Sequence, residues 1–153
     1  MSSSSCLAVL LAGSVLMACQ PKPSTETAAT PLQGTWKLIS GTLIEKGDTT
    51  VTSYTGPTEF IKIINGTHFA FLLHDRNKGK DSSAVFSAGG GTYTLQDSTY
   101  TEHLDYSSDR AWEGHTFPFT LTIRQDTLTQ RGVEKVASAG IDRLNIEQYV
   151  RVK

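Results

Sequence analysis

Thr116-Phe117-Pro118-Phe119-Thr120-Leu121-Thr122-Ile123-Arg124, drawn extended, puts Phe117, Phe119, Leu121 and Ile123 on one face. Thr116, Thr120, Thr122 and Arg124 fall on the other. A period of two is that of a β-strand with one buried side. A sheet built from such strands has to hide its apolar face, and this segment therefore decides the fold class. Outward from it, Gln125-Asp126 reads as a turn into a strand over 127–136, and a loop over 137–142 leads to a last strand over 143–152. Upstream, a loop over 107–114 with one helical turn near 109–112 follows a strand over 99–106. Asp97-Ser98 turns that strand back onto one that begins near Ala84 and runs through Gly89-Gly90-Gly91 to Gln96. The three glycines suit a bulge or sharp bend. Earlier strands are expected over 34–46, 59–64 and 67–74, with a short ribbon over 50–54. Gly47-Asp48 and Asn65-Gly66 are turn signals; the second is the stronger, because both residues tolerate positive φ. Eight to ten consecutive hairpin-linked strands bury a common face by closing into an antiparallel up-and-down β-barrel. An eight-stranded barrel is either filled by side chains or holds one small ligand.

The chain has 153 residues, with 14 Lys and Arg against 15 Asp and Glu, for a net charge of −1. That balance carries no basic footprint, and no nucleic-acid partner is expected. The N-terminus is distinct. An apolar run, residues 7–18, ends in Leu16-Met17-Ala18-Cys19, and the first 18 residues contain no Asp, Glu, Lys or Arg. The run is too short for a transmembrane helix of about 20 residues. It resembles the bacterial lipoprotein box, which implies cleavage before Cys19, lipidation of Cys19 and stable attachment through two or three acyl chains. The common positively charged n-region is absent; a plain secretory signal is the alternative. Residues 1–18 are thus expected to be a signal peptide. Residues 19–31, with three prolines and no large apolar side chain, read as a flexible tether. Residues 32–153 are left as one barrel domain. Cys6 leaves with the signal and Cys19 is acylated, so the mature domain has no disulfide. The expected location is the bacterial cell envelope; Gln20 after the cysteine favours the outer membrane.

Gly34-Thr35-Trp36-Lys37-Leu38 at the start of the first strand is similar to the Gly-x-Trp signature of lipocalins and other calycins. With Thr67-His68-Phe69-Ala70, Gly89-Gly90-Gly91-Thr92-Tyr93-Thr94 and Tyr100-Thr101-Glu102-His103, the ordered set resembles bacterial lipocalin-like domain proteins over most of 32–152. The resemblance implies that Trp36 plugs one barrel end and that Arg151, from the last strand, packs across it. A guanidinium stacked on indole is a sound closure. It implies a fold more than an activity.

Inward parity places Tyr100, Glu102, Leu104 and Tyr106 together on the strand over 99–106. The same rule turns Tyr93 and Leu95, Leu128 and Gln130, and Leu144, Ile146, Gln148 and Val150 inward. On 67–74 the choice between Phe69, Phe71, Leu73 and His68, Ala70, Leu72 is open, because a one-residue slip reverses every facing. A buried carboxylate needs partners, and Glu102 is expected to find Tyr hydroxyls, Gln130, His68 or an arginine. Two readings of this cluster stand side by side: a satisfied polar group in a filled barrel, or the polar anchors of a small-ligand pocket. The candidate ligand-binding residues are His68, Tyr93, Tyr100, Glu102, Phe119 and Gln130.

The leading expectation is a lipid-anchored envelope protein that binds a small apolar or amphipathic molecule in its barrel. One alternative is an isomerase- or cyclase-type enzyme with Glu102 as general base beside Tyr100 or His68. Another is a haem barrel using His68. The last is a ligand-free domain meeting a protein through loops 75–83 and 107–114, with Trp112 either capping the barrel or anchoring that partner. No pair of histidines has metal-ligand spacing, and neither a phosphate loop nor a nucleophile elbow is present, so no metal or cofactor is expected.

Overall fold

The computed structural model describes residues 31–153, which form nine strands. They are β1 (Gly34–Glu45), β2 (Asp48–Ser53), β3 (Thr58–Ile64), β4 (His68–Asp75), β5 (Phe86–Gln96), β6 (Thr99–Ser107), β7 (Thr116–Arg124), β8 (Thr127–Val136) and β9 (Ile141–Arg151). The expected signal, Cys19 and nearly all of the tether lie outside the described residues. From β3 to β9 each strand pairs antiparallel with the next, and β1 joins β3 on one side and β9 on the other. Eight strands thus close an up-and-down barrel. β2 is extra: it folds back on Ser40–Glu45 of β1, while β3 takes Gly34–Lys37 of the same edge.

The hairpins form where turn residues accept left-handed backbone. Lys46 (φ 52°) and Gly47 (φ 90°) join β1 to β2, Asp97 (φ 54°) joins β5 to β6, and Gln125 (φ 54°) joins β7 to β8. The strongest turn signal works by a different device. Neither Asn65 nor Gly66 takes a positive φ. Instead the Asn65 Oδ1 accepts hydrogen bonds from the Thr67 and His68 amides, both at 2.8 Å, and so builds the turn with its side chain.

The parity of β7 is as the alternation dictates: Phe117, Phe119 and Leu121 are buried and the threonines exposed. Tyr100, Glu102 and Leu104 of β6 are buried with them. Tyr106 is not; it is 70 % exposed. Gly91 pairs with Leu104 and Gly90 with Tyr106, so Asp105 is an extra residue that reverses the facing of everything after it. The glycines opposite make room for this bulge: a Cβ on Gly91 would lie 1.9 Å from the His103 carbonyl oxygen and 2.8 Å from the Asp105 amide nitrogen.

β9 reverses the expected parity outright. Asn145 and Tyr149 are buried, Gln148 is exposed, and Leu144, Ile146 and Val150 pair with outward residues of β8. Its inward face is largely polar, which is why an apolar-in rule misassigns it. On β4 the open choice falls to Phe69 and Phe71, with His68 and Leu72 outside.

One barrel end is shut. Trp36 is fully buried and donates from Nε1 to the Leu32 carbonyl at 2.8 Å. The Arg151 guanidinium lies 4.1 Å from the centre of the Trp36 rings and donates to the carbonyls of Gln33 (2.7 Å) and Pro31. A planar cation that stacks with its face and bonds with its edge ties the first described residues to the last strand.

Candidate functional site

Above the Trp36 plug lies a layer of charge. Lys62 of β3 is 3 % exposed, and its ammonium donates to Glu102 Oε1 at 2.6 Å and to Gln130 Oε1 at 3.1 Å. The rings of Phe69, Tyr100 and Tyr149 lie 5.5–5.9 Å from the same nitrogen. The cation is thus held by one carboxylate, one amide oxygen and three aromatic faces, the partners that make a buried charge tolerable. Burial by itself would push the Lys62 pKa down; the carboxylates of Glu102 and Glu147 outweigh it and hold the ammonium above its ordinary value. Burial, opposed by Lys62 and aided by Glu147, raises Glu102 above the usual carboxylate range. Burial acts oppositely on the two groups, raising Glu102 and lowering Lys62, while the nearby charge of Glu147 raises both.

A second charged group sits nearer the open end. Glu134 accepts from Arg143 Nε at 2.8 Å and from Asn145 Nδ2 at 2.7 Å. The Arg143 guanidinium lies 5.2 Å from the Trp112 rings. Trp112 belongs to a short 3-10 turn, Arg110–Trp112, whose Ala111 amide is capped by Asp109. Its rings pack 5.6 Å from Phe117. The tryptophan therefore covers part of the barrel mouth.

Between these layers is a cavity of about 330 Å³. Phe60, Phe71, Phe117, Phe119 and Trp112 supply apolar wall; Lys62, Glu102, Gln130 and Glu147 supply polar wall. The cavity reaches the end loops at Ser107 and Asp109. Glu147 accepts from the Tyr149 hydroxyl at 2.7 Å. Burial, then the charge of Glu147, raises the Tyr149 pKa well above its ordinary value, so that hydroxyl keeps its proton.

Of the six candidate ligand residues, Glu102, Gln130 and Phe119 line this cavity. Tyr100 does not line it. Its ring is fully buried beside Lys62, and its hydroxyl has no hydrogen-bond partner among the described residues, although the Glu102 charge, after burial, helps raise its pKa. Tyr93 packs on Tyr100 with ring centres 5.1 Å apart and donates to the Asn65 carbonyl at 2.7 Å, which places it at the closed end. His68 faces outward and pairs its Nδ1 with the Thr67 hydroxyl at 2.7 Å. It is no partner of Glu102, and the haem idea loses the inward histidine on which it rests.

The partner of Glu102 is Lys62, which the sequence reading passes over. A lysine in Phe60-Ile61-Lys62-Ile63-Ile64 looks like the solvated member of an edge. A usable signal exists: Phe60, Lys62 and Ile64 share a parity, and an inward Glu102 needs a cation. Glu134 was equally legible as the parity mate of Gln130; Glu147 was not, because it lies on the face of β9 that an apolar-in rule turns outward.

Residues 31–153 match a family described as Domain of unknown function (DUF4488). No curated protein matches the chain. Among solved structures, the chain is similar to an uncharacterized protein from Bacteroides eggerthii DSM 20697, with 12 % identity over 78 % of this chain and 98 % of that one, at a TM-score of 0.45.

Proposed function

The chain belongs to the DUF4488 family, a domain of unknown function, and we propose that its barrel is a lipocalin-like binding module for a small amphipathic molecule. The cavity carries this reading. Its volume of about 330 Å³ is at the lower end of small-ligand pockets, roughly 300–1,000 Å³, which join apolar walls to a few fixed polar groups. Here the aromatic side chains receive the ligand's apolar body, and the polar wall formed by Lys62, Glu102, Gln130 and Glu147 orients its polar end. This wall is pre-organised by its own bonds and loses little freedom on binding. The lipocalin-like assignment draws support from the eight-stranded closure and from Arg151 stacked on Trp36.

The catalytic alternative has one observation in its favour, a Glu102 pKa raised by burial. Against it, Lys62 occupies Oε1 at 2.6 Å, and a general base must be free to take a proton. Binding is therefore the preferred reading. Native mass spectrometry of the full chain, with thermal shift against a panel of short amphiphiles, tests it. A retained molecule or a saturable rise in melting temperature is expected; a barrel that retains nothing and shifts with none of the panel contradicts it.

We further propose that lipid on Cys19 anchors the module to a bacterial envelope membrane, with the outer membrane favoured by Gln20. Cys19→Ala is expected to abolish incorporation of labelled fatty acid and to release the protein from the membrane fraction. Unchanged fractionation of that variant refutes the anchor.

A further inference from the structure

The charges that line the cavity do not balance. Glu102, Asp109, Glu134 and Glu147 contribute four carboxylates, against the cations of Lys62 and Arg143. Each cation is committed: Lys62 to Glu102 at 2.6 Å, Arg143 to Glu134 at 2.8 Å. Asp109 at the rim caps a turn. Glu147 makes no ion pair among the described residues, and its one side-chain hydrogen bond is the 2.7 Å bond from Tyr149.

The surroundings of Glu147 are built for access. In register it stands between Gly41 of β1 and Gln130 of β8. Gly41 has no side chain to cover it, and a Cβ there would come within 3.4 Å of the Tyr54 ring. Aromatic rings continue from that point: Tyr54 to Phe60 at 5.9 Å, Phe60 to Phe71 at 5.7 Å, and Phe60 to Tyr149 at 6.4 Å between centres. A carboxylate with spare acceptor capacity, beside aromatic faces and inside an enclosed space, is the environment that a protonated amine prefers over an alcohol or an acid.

We propose that Glu147 forms an ammonium subsite, so that the barrel selects an amphiphile whose polar end is a protonated amine. This rests on the binding reading above and narrows it to a ligand class. The ammonium would donate to Glu147, lie against Tyr54 and Phe60, and reduce the excess of negative charge lining the cavity from two to one. An anionic head group in the same place would join a cavity lined by four carboxylates, with Lys62 and Arg143 already engaged. Burial pushes the Lys62 pKa down, yet Glu102 and then Glu147 hold it above its ordinary value, in keeping with the same excess of negative charge.

The test is isothermal titration of the full chain, at about pH 7, with octylammonium, octanol and octanoate, which share one tail. Octylammonium should bind about tenfold more tightly than octanol, the worth of one charge-assisted hydrogen bond, and octanoate more weakly than either. Glu147→Gln, which keeps the acceptor for Tyr149, should bring octylammonium down to the level of octanol. If octanol or octanoate binds the unaltered protein as well as octylammonium does, the ammonium subsite is wrong while the binding barrel stands. Persistence of the full preference in Glu147→Gln also overturns the assignment. If none of the three binds, the binding reading itself fails. Should the variant not fold, the comparison of the three head groups on the unaltered protein decides alone.

Discussion

Replacing Lys62 by Met should be one of the most damaging single changes in this domain, and a second change should undo it. The ammonium and the Glu102 carboxylate are 2.6 Å apart, with side chains 3 % and 9 % exposed. At an effective dielectric of about 20, that separation corresponds to an attraction of roughly 6 kcal/mol. Most of it only offsets the cost of taking two ions out of water. The stability at stake appears when one partner is removed, because the other charge stays buried: about 3–5 kcal/mol. Methionine fills similar volume, so little of the loss is cavity. Total stability of such a domain is about 5–15 kcal/mol, and the loss is readable as a shift in urea midpoint at unchanged slope. Glu102→Leu added to Lys62→Met should recover most of the loss, since a well-packed apolar pair is about as stable as a buried ion pair. The pH dependence has a definite sign. Burial already raises the folded-state pKa of Glu102, and Lys62 opposes that rise. Without the lysine the pKa climbs further, so between the ordinary carboxylate range and the raised value the folded state holds more protons than the unfolded. Stability of the single variant must therefore fall as pH rises through that window, and its deficit should be smaller near pH 5 than near pH 8. A Lys62→Met protein within about 1 kcal/mol of the original would show that the pair is solvated, and the reasoning about a buried charge layer would fail.

Four further outcomes follow from the same geometry. Trp36→Ala empties the closed end, where the ring is fully buried, and should cost about 3–5 kcal/mol in denaturant unfolding. Arg151→Lys should not substitute for Arg151, because an ammonium cannot both stack on Trp36 and reach two carbonyls; a melting temperature equal to that of the parent contradicts this. Gly91→Ala places a methyl 1.9 Å from the His103 carbonyl oxygen and should lower the urea midpoint by an amount equivalent to about 1–3 kcal/mol or more, while Gly79→Ala, with nothing within 4 Å of its Cβ, costs mainly the strain of its positive φ. The Asp75 carboxylate, which accepts from the Gly79 and Val85 amides at 2.9 and 3.1 Å, has its pKa lowered by those bonds. Its contribution is thus present above the ordinary aspartate value of 3.8 and lost as pH falls through the lowered one; amide protection at Gly79 and Val85, corrected for intrinsic exchange, should persist below pH 3.8 and collapse only as pH falls through the lowered value.

The barrel was legible because its evidence is local. Strict alternation in 116–124, paired turn residues at 97–98 and 125–126, and a Gly-x-Trp start each act over a few residues, and each gives the element expected. The interior was less legible because facing is a running count that one residue can upset. Asp105 does so on β6, carrying Tyr106 outside. On β9 the count fails for a chemical reason. Arg143, Asn145 and Glu147 line the cavity, so a rule that sends apolar residues inward misassigns a strand that faces a polar cavity. Lys62 is the sharpest case. The demand for a counter-ion to Glu102 was readable, but its supplier lay forty residues away on a strand that looks solvated at that position. Tyr93 and His68 have chemistry suited to a ligand site, but the 65–68 turn holds both away from the cavity, one by a bond to Asn65 and one by its outward parity.

The most direct measurement is the set of nuclear Overhauser contacts between the full chain and bound octylammonium. Binding in the barrel predicts contacts from the alkyl tail to the inward rings of Phe71, Phe117 and Phe119, and from the head-group methylene to Tyr54 and Phe60. Contacts confined to Phe86 and Tyr106, the two most exposed aromatic rings on the outer wall, would contradict an internal site.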